Sequence, residues 1–149
     1  MLGYWNRPEA TEAALVEGWY RTGDAAYADE HGYLYMVDRL KDMIITGGEN
    51  VYSIEVESTL CAHPAVLEAA VFGVPHVTWG EAVHAVVAVP PGAGATQEEL
   101  LAHCRRSIAG FKVPRSVDVQ LEPLPKSGAG KILKNRLREP FWPAPARRG

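Results

Sequence analysis

The sequence predicts an α+β fold, a compact mixed sheet with about three helices, preceded by a few strands too short to make a body of their own. Three stretches carry this expectation. Ala82 to Val89 is a near-continuous apolar run, broken only by His84 and ended by Pro90-Pro91-Gly92, so it reads as a strand covered on both faces and central in its sheet. Thr96-Gln97-Glu98-Glu99 is a capping box, and Leu100, Leu101, Cys104 and Ile108 follow it at helical spacing. Val117, Val119 and Leu121 alternate with Asp118, Gln120 and Glu122, the pattern of a half-exposed strand.

The other elements follow in chain order. Pro8 or Glu9 to Val16 reads as a short helix with Pro in its first turn, and Gly18 to Gly23 as an aromatic strand. Ala25 to Ala28 and Tyr33 to Val37 read as two strands joined by Asp29-Glu30-His31-Gly32, where the Gly suits a type I turn with a bulge. A charged knot, Asp38-Arg39-Leu40-Lys41-Asp42, separates two apolar runs and reads either as a charged hairpin turn followed by a Gly loop or as a hinge between two bodies, and Gly47-Gly48 permits positive φ and close approach. Ser53 is placed to cap a helix to Cys61, with Ile54, Leu60 and Cys61 near one face, and Val66 to Val74 reads as a strand. After the loop Pro123 to Gly130 a last helix is expected over Lys131 to Glu139, then a loose tail from Pro140 to Gly149. The domains expected are therefore 1–38, 39–139 and a disordered 140–149.

At 149 residues, 47% hydrophobic and 22% charged, the chain suits one domain, or one domain with a remnant of another. No apolar run approaches the ~18 residues of a membrane span, and the start lacks the apolar core of a signal peptide. Cys61 and Cys104 form no metal-ligand pair and are expected as buried free thiols of a reducing cytoplasm. The net charge of −3 hides an asymmetry: residues 1–102 carry four Lys/Arg against 15 Asp/Glu, residues 103–149 carry 11 against three. Such a split marks either the seat of an anionic partner or a solvated basic face. The aromatic residues are not interleaved with the basic ones, so a phosphorylated small molecule is as plausible as a nucleic acid.

Pro125-Lys126-Ser127-Gly128-Ala129-Gly130-Lys131 suggests a phosphate cradle, but a Walker A loop requires Gly at Pro125 and Ser or Thr at Ile132. What remains is a Gly-rich loop presenting Lys131 at a helix start, where its charge opposes the helix dipole; it reads either as a lysine kept for its reach towards an anion or as an ordinary exposed lysine of a flexible loop. His31, His63, His76, His84 and His103 show no metal-binding spacing, so no metal site is expected. Trp79 beside Gly80 suits either core or the wall of a narrow channel.

Four segments together resemble the adenylate-forming acyl-CoA synthetase family, which includes luciferases and peptide-synthetase adenylation domains. They are Tyr20-Arg21-Thr22-Gly23-Asp24; Asp38-Arg39-Leu40-Lys41-Asp42 with Gly47-Gly48-Glu49-Asn50 and Glu55-Val56-Glu57; Phe111-Lys112-Val113-Pro114-Arg115; and Pro125 to Lys131. They cover Gly3 to about Leu137 in the family's order. The resemblance implies a large N-terminal domain of the same enzyme, of which residues 1–38 are the end, and a small mobile C-terminal domain. It also implies that a carboxylic acid attacks the α-phosphate of ATP, and that the thiol of coenzyme A then displaces AMP.

By that resemblance Asp24 holds the ribose hydroxyls, Arg39 contacts the nucleotide, and Lys131 is the catalytic residue of adenylation. Lys41 is the hinge, Gly47, Gly48 and Trp79 line the pantetheine channel, and Lys112 and Arg115 face the CoA phosphates. Val113 stands where some relatives place a basic residue. The family's phosphate loop, carboxylate pocket and Mg2+ ligands have no counterpart here, so the chain alone is expected to be inactive. The resemblance thus implies the C-terminal part of an ATP-dependent fatty-acid or aryl-acid CoA ligase, cytoplasmic, without a nucleic acid partner or a transmembrane segment. A peptide-synthetase-type domain loading a carrier protein and a non-catalytic CoA- or nucleotide-binding module remain as alternatives.

Overall fold

The computed structural model describes residues 1–142 and divides the chain into two compact units, the first Met1–Lys41 and the second beginning at Asp42.

In the first unit, helix α1 (Pro8–Ala14) gives way to a two-residue strand β1 (Leu15–Val16), which pairs with β2 (Trp19–Tyr20). The helix ends two residues earlier than expected because Glu17 (φ 51°) and Gly18 (φ 82°) form a two-residue turn with both φ positive, which closes a hairpin. Strands β3 (Asp24–Ala28) and β4 (Leu34–Arg39) form the expected second hairpin. Its turn is held by Asp29, whose Oδ1 accepts from the His31 and Tyr33 amides, and Tyr27 stacks on Tyr35 at 5.0 Å. No residue of this unit is buried, and Trp5, Trp19 and Leu34 are largely exposed. Two hairpins and one short helix cannot enclose a core.

The second unit is built on five strands. Strands β5 (Ile44–Thr46) and β6 (Glu49–Val51) are joined by Gly47-Gly48, both at positive φ. Strands β7 (Glu68–His76) and β8 (Gly80–Ala88) pair antiparallel along their whole length. Strand β9 (Ser116–Gln120) lies parallel to the second half of β8, and β5 meets β8 at Thr46↔Gly80. Strand β8 is therefore central, buried from Ala82 to Ala88 as its apolar run requires.

Alternation along the strands feeds two cores. On one face Val71, Val83, Ala85 and Val87 pack with Val56 and Leu60 of α2 (Ser53–Cys61) and Leu100, Leu101 and Cys104 of α3 (Gln97–Ser107). On the other, Ala70, Phe72, Val86 and Ala88 pack with Leu124, Ile132, Leu137 and Phe141. The capping box of α3 forms in full: the Glu99 amide donates to Thr96 Oγ1 and the Thr96 amide to Glu99 Oε2. Such a cap stabilises a helix by about 1 kcal/mol.

Several expectations are corrected. Tyr52, not Ser53, is the N-cap of α2, and the buried face is Ser53, Val56 and Leu60, leaving Ile54 and Cys61 exposed; Cys104 alone is a buried thiol. Only Val117 of the alternating residues of β9 is buried, because the strand flanks only the end of β8. The last helix, α4, is confined to Lys134–Arg138, since Leu133 donates to the Pro125 carbonyl and Lys126 bridges Ile132, which keeps Lys131 in a hairpin-like loop. Pro140 to Trp142 are not loose: Phe141 joins the second core and Trp142 Nε1 donates to the Gly73 carbonyl at 2.9 Å. The rest of the expected tail, 143–149, lies outside the described residues.

Candidate functional site

The β3–β4 hairpin sets Asp24 directly opposite Arg39, and Arg39 Nε approaches Asp24 Oδ1 at 3.4 Å. Asp24 is the less exposed of the two, at 26%. A short acceptor and a guanidinium side by side can divide a ribose diol and a phosphate between them. Lys41 closes this unit in an exposed turn before β5, and its ammonium has no ion-pair partner among the described residues.

In the second unit, the turn Gly47-Gly48 meets the loop Val77-Thr78-Trp79 between β7 and β8. The Gly47 amide donates to the Trp79 carbonyl at 3.0 Å, and a Cβ on Gly47 would sit 3.5 Å from the indole. Nothing comes within 4 Å of the corresponding position on Gly48, so the space over that residue is open. Trp79 also carries His76, stacked at 4.3 Å and 11°, and the Arg115 guanidinium, 4.2 Å from its ring centroid. His76 is fixed by its own loop, because its Nδ1 accepts from the Thr78 and Trp79 amides. The result is a rigid aromatic wall beside a side-chain-free turn, with one cation at its rim.

Lys131 lies on a second loop of this unit. Its amide and carbonyl are tied to Ser127, which closes the loop Gly128-Ala129-Gly130, while the side chain is exposed and its ammonium has no partner among the described residues. The loop is anchored on both sides. Lys126 pairs with Glu68 before it. Lys134 pairs with Glu57 at 2.7 Å and donates to Ser53 Oγ at 2.7 Å after it. An unpaired lysine on a loop held at both ends keeps its charge available to an incoming anion.

The structure brings together Gly47, Gly48, Trp79 and Arg115, and it sets Lys112 apart. The Lys112 ammonium is gripped by both carboxylate oxygens of Glu55, at 2.7 and 2.8 Å. This is part of a wider pattern. Lys112, Lys126, Lys134 and Arg138 from the basic end of the chain pair with Glu55, Glu68, Glu57 and Glu81 from its acidic part. Much of the charge split is therefore internal. The sequence points to neither Gly73 nor Glu81, and it presents Ser53, Glu57 and His76 in other roles; the one available signal is Glu81, a carboxylate at the mouth of the apolar β8 run.

His84 is buried at 2% exposure in the second core, between Phe72 and Phe141, with Nδ1 2.7 Å from Ser116 Oγ. Burial pushes its pKa down, and the Asp118 carboxylate, 3.6 Å from Nε2, offsets this only in part. Among the described residues no group of three or more His, Cys, Asp or Glu side chains could hold a metal ion, and no helix is long and apolar enough to cross a membrane.

The family described as the AMP-binding enzyme C-terminal domain matches residues 55–131. The long-chain-fatty-acid–CoA ligase of Yersinia pestis is 53% identical over 139 residues, 93% of this chain and 24% of the relative. Feruloyl-CoA synthase of an Amycolatopsis species is 51% identical over 141 residues, 95% and 28% of the two chains. A fatty acid–[acyl-carrier-protein] ligase of Streptomyces coeruleorubidus is 43% identical over 148 residues, 99% and 28%. Among solved structures, ATP-bound MatB from Rhodopseudomonas palustris superposes with a TM-score of 0.85 at 42% identity, covering 93% of this chain and 28% of that one. The chain thus spans about a quarter of the length of the relatives it matches.

Proposed function

The chain belongs to the AMP-binding enzyme C-terminal domain family, and from that premise we propose that it is the C-terminal part of an ATP-dependent acyl-CoA ligase acting on a fatty or aryl acid. The observation that carries this reading is the presence of two unlike sites on one small unit: an unpaired Lys131 on an anchored loop, and a glycine turn against Trp79 with Arg115 at its rim.

In the first step a carboxylate oxygen bonds to the α-phosphorus of ATP and pyrophosphate leaves. The Lys131 ammonium neutralises charge gathering on the phosphoryl oxygens. In the second step the thiol sulfur of coenzyme A bonds to the acyl carbon and AMP leaves. The pantetheine arm passes over Gly48 and along Trp79, where no Cβ obstructs it. Arg115 supplies the cation for the CoA phosphates, and Lys112, held by Glu55, supports that site only by exchanging partners.

Asp24 and Arg39 bind the ribose and nucleotide, exchanging their mutual contact for the ligand. Magnesium enters with ATP and is held mainly by the large N-terminal domain, in a cytoplasmic enzyme. Alternation of the two steps turns on Lys41, a reading supported by the boundary between compact units directly after it. By itself the chain carries no adenylation activity.

A second reading, transfer of the acyl group to a carrier protein, is favoured by the similarity to the Streptomyces coeruleorubidus ligase. The test is to supply the full-length protein with ATP, a panel of fatty and aryl acids, and either free CoA or a phosphopantetheinylated carrier. Acyl-CoA formation supports the first reading. Exclusive carrier loading establishes the second, and the absence of acid-dependent AMP release overturns both.

A further inference from the structure

We infer that Glu81 is a positioning residue that ties the glycine turn to the Lys131 loop; this rests on the ligase reading. Glu81 divides its two carboxylate oxygens between them. Oε2 accepts from the Ile45 amide at 3.1 Å, two residues before Gly47. Oε1 accepts from Arg138 Nη2 at 3.3 Å, in the helix that follows Lys131. Strand β5 meets β8 at the single register position Thr46↔Gly80, and the Glu81 side chain supplies the next bond along that seam.

The surroundings are shaped to admit this carboxylate. A Cβ on Gly73 would lie 2.5 Å from Glu81 Oε2 and 2.8 Å from Cδ, so any side chain at that position displaces the carboxylate. Trp142 covers the assembly, donating from Nε1 to the Gly73 carbonyl at 2.9 Å and placing its ring 4.7 Å from the Arg138 guanidinium. Arg138 is thereby held by a carboxylate and an aromatic face together. Both charged side chains are less than a third exposed, at 21% for Glu81 and 31% for Arg138, so water competes poorly for their bonds. One anion thus joins the strand that presents Gly47-Gly48 to the helix that anchors Lys131, and displacing it loosens both.

The experiment uses the full-length protein and three variants, with acid-dependent ATP–pyrophosphate exchange and thioester formation from supplied acyl-adenylate measured separately. Hydrogen exchange of the Ile45 and Thr46 amides is the third readout. Gly73→Ala pushes the carboxylate aside, and it is expected to speed Ile45 exchange and to slow both half-reactions, each about tenfold, as for loss of a charge-assisted hydrogen bond. Glu81→Gln keeps an acceptor for Ile45 but turns its NH2 group towards Arg138, so pyrophosphate exchange falls while thioester formation stays within about threefold. Arg138→Met, which removes the cation from the bridge, is expected to lower pyrophosphate exchange as Glu81→Gln does and to leave thioester formation within about threefold, and an unchanged exchange rate overturns the inference.

Unchanged Ile45 exchange in Gly73→Ala, or unchanged half-reactions in both Gly73→Ala and Glu81→Gln, overturns the inference. Equal slowing of both steps in Glu81→Gln also overturns it. If the unsubstituted protein performs neither half-reaction, the ligase reading fails, and Ile45 exchange in Gly73→Ala then decides the bridge by itself.

Discussion

The Gly47 amide donates to the Trp79 carbonyl at 3.0 Å, docking the tip of the β5–β6 hairpin onto the loop that ends β7. The contact leaves only 3.5 Å between a notional Gly47 Cβ and the indole, and Gly47 sits at φ 59°. A side chain there meets both backbone strain and the Trp79 indole. Gly47→Leu in the full-length protein is expected to lower thioester formation from supplied acyl-adenylate by roughly 10²-fold, the scale of a misplaced reacting group. Acid-dependent pyrophosphate exchange should stay within a fewfold of normal. Stopped assays of the two steps check this, and equal losses count against the channel.

Lys134 joins layers that the sequence separates by 81 residues, because its ammonium reaches both Glu57 and the fully buried Ser53 Oγ. Lys134→Met removes this ion pair and this donor from a largely buried site and is expected to destabilise the fold by about 1–3 kcal/mol in denaturant titration. Lys112→Met, whose partner Glu55 is more exposed, should cost about 1 kcal/mol or less. Equal costs would show that burial does not separate the two pairs.

His84 gives the stability a pH dependence. Burial holds its pKa below the ordinary 6.5, so the unfolded chain takes up a proton that the folded chain resists. This contribution is complete above 6.5 and is lost as pH falls below it. The unfolding midpoint should therefore drop between about pH 7.5 and pH 5.5, and His84→Gln should flatten that drop. The same pH slope in wild type and variant would remove His84 from the account.

What the sequence made legible was local. The apolar run of β8, the capping box at Thr96–Glu99 and the Gly47-Gly48 turn each carry their instruction within a few residues, and each forms where expected. What it hid was pairing over distance. Glu55 and Lys112 stand 57 residues apart, so the basic end of the chain reads as either a partner's seat or a solvated face, when much of it closes on the protein's own carboxylates. Ser53 was misread for a related reason. It has the chemistry of a cap, but a lysine on a later helix claims its hydroxyl. Lys131 was expected at a helix start, yet the Ser127 and Pro125 contacts keep it in a loop and delay the helix to Lys134.

The central claim, that Lys131 serves adenylation while a different surface serves thioester formation, is tested most directly by one variant of the full-length protein, Lys131→Ala, with the two half-reactions timed separately. Loss of a preorganised cation predicts that acid-dependent ATP–pyrophosphate exchange falls by roughly 10² or more, while thioester formation from supplied acyl-adenylate keeps its rate. Equal slowing of both steps, or undiminished exchange, would contradict it.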